Sequence, residues 1–231
     1  MDNASVKPWF IKDTAFTSRV SEEDMAVFMK VCPDKRYKKG DFIFHAGDDA
    51  TDLHVLAQGQ VKLVTPTASG SERILAILGP NDFFGEAFLA EDETYRVDAI
   101  ALTDAMTCPV SRNQFKHMAL SAPGFVLTFA EIMAGHLFAC RDQLSSSYAP
   151  VKARVIKTLL EQAKRFGRDE GTGWVKLSTE LKHEELASMI TATRVSVSMA
   201  MAELRGEGLL EGTRGEYRLH VGAMHDQLEL S

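Results

Sequence analysis

From Lys182 to Gly206 the chain reads KHEELASMITATRVSVSMAMAELRG, with apolar residues at helical spacing in two blocks. Leu186, Met189 and Ile190 share one face of a first helix, leaving His183, Glu184, Glu185 and Ser188 for solvent. Val197, Ala200, Met201 and Leu204 share one face of a second. Thr191 to Thr193 separate them, and the Thr193 hydroxyl is placed to accept the free backbone N–H of Val195 or Ser196 as an N-cap. Two helices this short bury their faces only by packing steeply on a third, which is a helix-turn-helix. VKARVIKTLLEQAKRF supplies the third, with Val155, Ile156, Leu159, Leu160 and Ala163 on one side and Lys152, Arg154, Lys157, Lys164 and Arg165 elsewhere. A strand in GTGWVKLST and a hairpin in LLEGTRGEYRLHV, whose tip from Gly212 to Gly215 carries Arg214, add a wing.

The first half has a different rhythm. After a helix at Ser21 to Val31, glycines at 40, 47, 59, 70, 79 and 85 separate short segments such as DFIFHAG, LHVLAQGQVKLV and RILAILGP. Short strands punctuated this way predict an antiparallel barrel or roll. From Gly124 to about Tyr148 the period returns to helical, with Phe129, Met133, His136 or Leu137, Cys140 and Leu144 three and four apart. A stripe that narrow is a seam, one edge covering the roll and the other meeting the same helix of a second copy. Ala149 and Pro150 then break the helix as a hinge. The expected organisation is α+β: a sensor roll over 1–123, a dimerisation helix over 124–148, and a winged helix-turn-helix over 149–231.

Composition bounds the reading. With 45% hydrophobic and 25% charged residues in 231, the chain is globular and long enough for two domains. The net charge of -6 resides ahead of residue 149, because the remainder carries 12 Lys/Arg and 12 Asp/Glu. Cys32, Cys108 and Cys140 are too widely spaced for a disulfide framework or a CxxC metal site and are expected as small buried hydrophobes. The start MDNASVKPWFIKDTAF shows no basic-then-apolar leader, so a cytoplasmic location is expected. The run from Met118 to Cys140 nears the length of a membrane span, but Pro123, Glu131 and His136 interrupt it, so no membrane association is expected.

The strings EELASMI, TATRVSVS and AELRGEGLL, followed by a Gly-rich hairpin, resemble the recognition unit of the cAMP receptor protein / fumarate-nitrate regulator family of bacterial transcription factors. Residues from about Tyr37 to Val110 resemble the cyclic-nucleotide-binding β-roll of the same family, and GPNDFFGEAFLAEDETYRVDAIALTDA resembles its phosphate-binding cassette. The resemblance implies that Gly85, Glu86, Ala87, Arg96 and Val97 line a ligand site, with Glu86 on a ribose hydroxyl and Arg96 on a cyclic phosphate. Val97 replaces a small hydroxyl residue, and Ala139 and Cys140 fall where the base would be bonded. Cyclic AMP and action without any small ligand both stay open, as does a plain Glu86–Arg96 ion pair. An iron–sulfur cluster lacks its cysteines, and a haem would need His45, His54 or His136 as axial ligand.

The resemblance further implies a homodimer that reads a near-palindrome in double-stranded DNA and activates transcription with RNA polymerase. Thr193, Arg194, Val195, Ser196, Ser198 and Met199 would lie near base edges or phosphates, while His183 and Arg214 would hold phosphates. Val195 and Met199 stand where the best-known members carry an acid and a second base-reading Arg, so A/T-tolerant half-sites are expected. The alternative is a cyclic-nucleotide-binding module whose C-terminal domain meets a protein partner. No paired acid/base group, nucleophile motif or metal spacing marks an enzyme.

Overall fold

A computed structural model describes residues 20–66, 72–90, 93–145, 148–179, 181–213 and 216–229. The chain divides into two compact units, Met1–Pro66 with Leu75–Ala139, and Thr67–Ile74 with Cys140–Ser231. The first opens with helix α1 (Glu22–Val31), capped by the Ser21 hydroxyl on Asp24 N. Eight strands follow: β1 (Lys35–Tyr37), β2 (Phe42–Phe44), β3 (Asp52–Gln58), β4 (Val61–Pro66), β5 (Glu72–Leu78), β6 (Phe83–Phe84), β7 (Asp98–Ala101) and β8 (Ala105–Ser111). They form two four-stranded sheets, in the orders β1-β8-β3-β6 and β2-β7-β4-β5. The β3 segment DLHVLAQ is buried at five consecutive positions, from Leu53 to Ala57, because it is covered on both faces. Gly59 ends that strand with φ 83°, and a Cβ there would lie 2.2 Å from the Asp104 carbonyl oxygen, so only glycine fits.

Two helices complete this unit. Helix α2 (Arg112–Ser121), which the periodicity does not predict, starts in a Ser111/Gln114 capping box. Gln114 Nε2 donates to the Val31 carbonyl at 3.1 Å, tying α2 to the end of α1. Helix α3 (Pro123–Ser145) starts at the proline that interrupts the weakly charged run. Its first turn rests on α1, since Gly124 N donates to Asp24 Oδ2 at 2.9 Å. The inner face of α3 joins an aromatic ladder: Phe125 stacks on Phe28 at 4.8 Å, Phe83 meets Phe125 at 5.7 Å and Phe129 at 5.5 Å, and Phe115 meets Phe129 at 5.3 Å.

The expected stripe of this helix divides between two environments, with Leu137, Cys140 and Leu144 exposed. Phe129 is buried and Met133 is half-buried against the roll core. A continuous exposed row, sharing Leu137 and Leu144 with that stripe, runs through Leu127, Ala130, Ala134, Leu137, Arg141 and Leu144, spaced 3-4-3-4-3, with Phe138 exposed beside it. The segment Pro123–Arg141 is long and apolar enough to cross a membrane by length and composition, with 17% of it buried. The cysteines also depart from expectation: Cys32 and Cys108 are bonded to each other across 76 residues, and Cys140 is exposed.

The second unit holds α4 (Val151–Phe166), β9 (Gly167–Asp169), β10 (Trp174–Leu177), α5 (His183–Met189), α6 (Arg194–Gly206), β11 (Leu210–Glu211), β12 (Arg218–His220) and α7 (Val221–Glu229). Pro150 occupies the position just before α4 without a side-chain cap, and Val155, Ile156, Leu159, Leu160 and Ala163 are all buried. The strands form one antiparallel sheet in the order β11-β12-β10-β9.

Inside the roll, His54 is 5% exposed, stacks on Phe84 at 5.1 Å and lies 3.4 Å from Thr107 Oγ1. Burial lowers its pKa from 6.5 to about 4, opposed by Asp52 and reinforced by Lys35. A histidine kept neutral in the fold but free to protonate when unfolded contributes stability that is complete above pH 6.5 and is lost as pH falls towards 4. Acidification from pH 7.5 to pH 5 should cost this group roughly 2 kcal/mol. Urea unfolding at both pH values should show that loss in the native protein and a smaller loss in His54→Gln.

Candidate nucleic-acid interface and effector cassette

Helices α5 and α6 are positioned by what they bury. Leu186 and Ala187 of α5 and Val197, Ala200, Met201 and Leu204 of α6 pack inward. Between them Thr191 adopts φ 53°, a left-handed turn residue, and Ala192 N donates to the Ala187 carbonyl at 3.0 Å. The Arg154 guanidinium of α4 donates to the Ile190 carbonyl, closing the C-terminal end of α5. Lys182 N donates to Glu185 Oε2 at 2.8 Å, closing its start. Thr193 Oγ1 accepts from Ser196 N at 3.1 Å, the cap predicted for α6.

The expected DNA-facing residues separate into two groups. Arg194, Val195 and Met199 are exposed. Ser196 and Ser198 are half-buried and already bonded within the protein, Ser196 Oγ to Thr193 Oγ1 at 2.8 Å and Ser198 Oγ to His183 Nδ1 at 2.8 Å. Sequence periodicity places these hydroxyls on the outward side but does not reveal such local partners. His183 is the first residue of α5 and half-buried; burial lowers its pKa below 6.5, with Arg205 and Arg194 adding to the effect. It therefore stands neutral near pH 7, and a phosphate oxygen at its free nitrogen would draw a proton onto it.

The wing is formed by β11 and β12, paired Leu210 with Leu219 and Glu211 with Arg218. Arg205 Nε donates to the Gly212 carbonyl at 3.0 Å, tying the hairpin to α6 just beyond the end of β11. Arg214, expected on a phosphate, lies outside the described residues.

In the first unit, Gly85 has φ 84°, and a Cβ there would come within 2.9 Å of the Asp52 carbonyl oxygen. A single 3-10 turn, Glu86–Leu89, follows it, with Glu86 exposed and Ala87 half-buried. Arg96 is exposed and donates to Glu93 Oε2 at 2.5 Å, so its ion-pair partner is Glu93 and not Glu86. Val97 is half-buried against the roll core. Glu86 and Arg96 suit a ribose and a phosphate, provided Arg96 exchanges Glu93 for the phosphate. The base end fits less well, because Ala139 and Cys140 are exposed and offer no strong side-chain hydrogen bond.

Two family models match: the cyclic nucleotide-binding domain over residues 34–121 and the Crp-like helix-turn-helix domain over 153–224. Transcriptional regulator LdrP of Thermus thermophilus is 30% identical over 195 residues, covering 82% of this chain and 94% of the relative. A CRP-like cAMP-activated global transcriptional regulator of Mycobacterium tuberculosis is 28% identical over 179 residues, covering 76% of this chain and 80% of the relative. The crystal structure of a CRP-family transcriptional regulator from Thermus thermophilus superposes with a TM-score of 0.70 and 27% identity, over 84% of this chain and 96% of that one.

Replacing Thr193 by Ala removes the α6 cap and should lower the unfolding free energy by about 1 kcal/mol. Ser196→Ala keeps the backbone donor and should change it by less than about 0.5 kcal/mol. Urea denaturation of the two variants checks the difference.

Proposed function

The chain belongs to the cAMP receptor protein / fumarate-nitrate regulator family of bacterial transcription regulators, and on that premise we propose that it binds a near-palindromic operator as a homodimer. Residues 1–123 sense, 124–148 pair the two copies and 149–231 bind DNA. The observation that carries this reading is α6, a capped helix held by α4 and α5 with Arg194, Val195 and Met199 exposed along its outward side. A helix so mounted fits the major groove, with its first turn nearest the bases. Arg194 supplies a bidentate donor for a guanine edge or a phosphate. His183 and Arg214 hold flanking phosphates, fixing register. The neutral balance after residue 149 leaves non-specific affinity modest and salt-sensitive.

Dimerisation rests on the exposed 3-4-3-4-3 row of α3, whose Leu127, Leu137 and Leu144 would be covered by the same row of a second copy. Its small Ala130 and Ala134 permit close approach of the two helices. A dimer places two α6 helices on half-sites one helical turn apart. The regulator works in the cytoplasm, beside the chromosome, and acts as an activator in contact with RNA polymerase; it resembles a cAMP-activated global transcriptional regulator of Mycobacterium tuberculosis. That likeness also favours cyclic AMP as effector, held by Gly85, Glu86, Ala87 and Arg96 beside Val97. Action without a small ligand is favoured by the Arg96–Glu93 pair.

Sequence-specific DNA binding, measured by anisotropy on a selected operator, should fall at least about tenfold in Arg194→Ala, the loss expected for a bidentate contact. Leu137→Glu should shift the protein from dimer to monomer in light scattering and weaken operator binding with it. A monomeric native protein with full operator affinity would contradict the proposal. Calorimetry with cyclic AMP should show binding that Arg96→Ala abolishes and Glu93→Gln tightens, because the second variant frees the guanidinium. Absence of heat with all three proteins would leave the regulator without this ligand.

A further inference from the structure

With Val197, Ala200, Met201 and Leu204 buried, a helix of 3.6 residues per turn must carry Val195, Met199 and Ala202 outward, at i, i+4 and i+7. All three are exposed, Val195 at 69% and Met199 at 61%. Gly206 continues the row. The crest of the helix is therefore apolar over three turns, although it belongs to the element that meets DNA. The hydroxyls beside it, Ser196 and Ser198, already have partners at 2.8 Å inside the protein. Arg194, the first residue of the helix, stands exposed at its N-terminal end. On its flank, Glu203 lies 3.9 Å from Lys152 Nζ.

Resting on the DNA-binding reading above, we propose that this crest reads thymine: Val195 and Met199 each pack on the C5-methyl of a thymine in the major groove. Among the four bases, thymine alone presents a methyl group there. Four residues of helix advance about 6 Å, close to two base steps of about 3.4 Å. The two thymines therefore lie within two or three positions of each other in one half-site, on either strand. Burial against the groove floor gives the exposed Val and Met their cover, and Arg194 anchors the helix alongside. The basic N-terminal end favours a polyanion over an apolar protein surface as the occupant.

The test uses the full-length protein. An operator is first selected from a random duplex pool, and each of its thymines is then replaced singly by deoxyuridine, which removes the methyl group and nothing else. Anisotropy titrations should show two positions per half-site at which deoxyuridine weakens binding about fourfold, the value of one buried methyl. Val195→Ala should abolish the sensitivity at one position and Met199→Ala at the other, with circular dichroism melts confirming that both variants fold. An operator whose affinity is indifferent to every deoxyuridine overturns the inference while leaving DNA binding intact. Enrichment of no sequence at all, with capture of a protein through the crest instead, overturns the DNA reading and this inference together.

Discussion

Burial of Val197, Ala200, Met201 and Leu204 decides what α6 can show to a partner. Those four side chains occupy one side of the helix against α4 and α5, so apolar packing sets the rotation of α6 about its own axis, with the Ser198–His183 hydrogen bond as a polar tie to α5. The remaining features serve that arrangement. Thr193 caps the start, Arg154 closes the preceding helix, and Arg205 ties the far end to the wing. Because the inward ridge is apolar and complete, the outward crest is set by geometry alone, and its composition reads out directly as recognition chemistry.

The first unit solves a related problem with rings. Phe28, Phe83, Phe115, Phe125 and Phe129 interlock through centroid distances of 4.8 to 5.7 Å, clamping the inner face of α3 onto the roll. That clamp leaves the opposite face of the same helix with a heptad row exposed in the single chain. One helix thus has two apolar faces with two destinations. The cassette follows a different logic: Arg96 is retained but engaged by Glu93, and Val97 packs on the roll core. A ligand there must compete with an existing ion pair, an exposed one whose own strength is modest.

The helical period makes α4, α5 and α6 legible, and the apolar faces of α4 and α6 are buried as read, because each has one apolar face; on the short α5, Met189, His183, Glu185 and Ser188 are all half-buried. The cap at Thr193 is legible for the same reason. On α3 the period is legible but the point where the stripe leaves the roll is not: Phe129 and Met133 lie on the core and Leu137, Cys140 and Leu144 are exposed, a division that depends on the Phe83 and Phe115 rings contributed by distant segments. The engagement of Ser196 and Ser198, the turn of Arg96 towards Glu93 and the Cys32–Cys108 pairing are likewise tertiary facts. Helix α2 is hidden in the sequence because its apolar positions are few, with Phe115 and Met118 buried among polar neighbours.

The most direct measurement of the central claim, that the outward side of α6 enters the major groove, is a methyl NMR titration of protein labelled at the methionine methyl carbons. The ten methionines include Met199, exposed on the crest, and Met201 and Met224, both 0% exposed, as internal references. A Met199→Leu variant assigns the signal. Addition of the selected operator duplex should shift the Met199 methyl strongly while Met201 and Met224 stay nearly still. A duplex that binds tightly and leaves the Met199 methyl where it was would contradict the account.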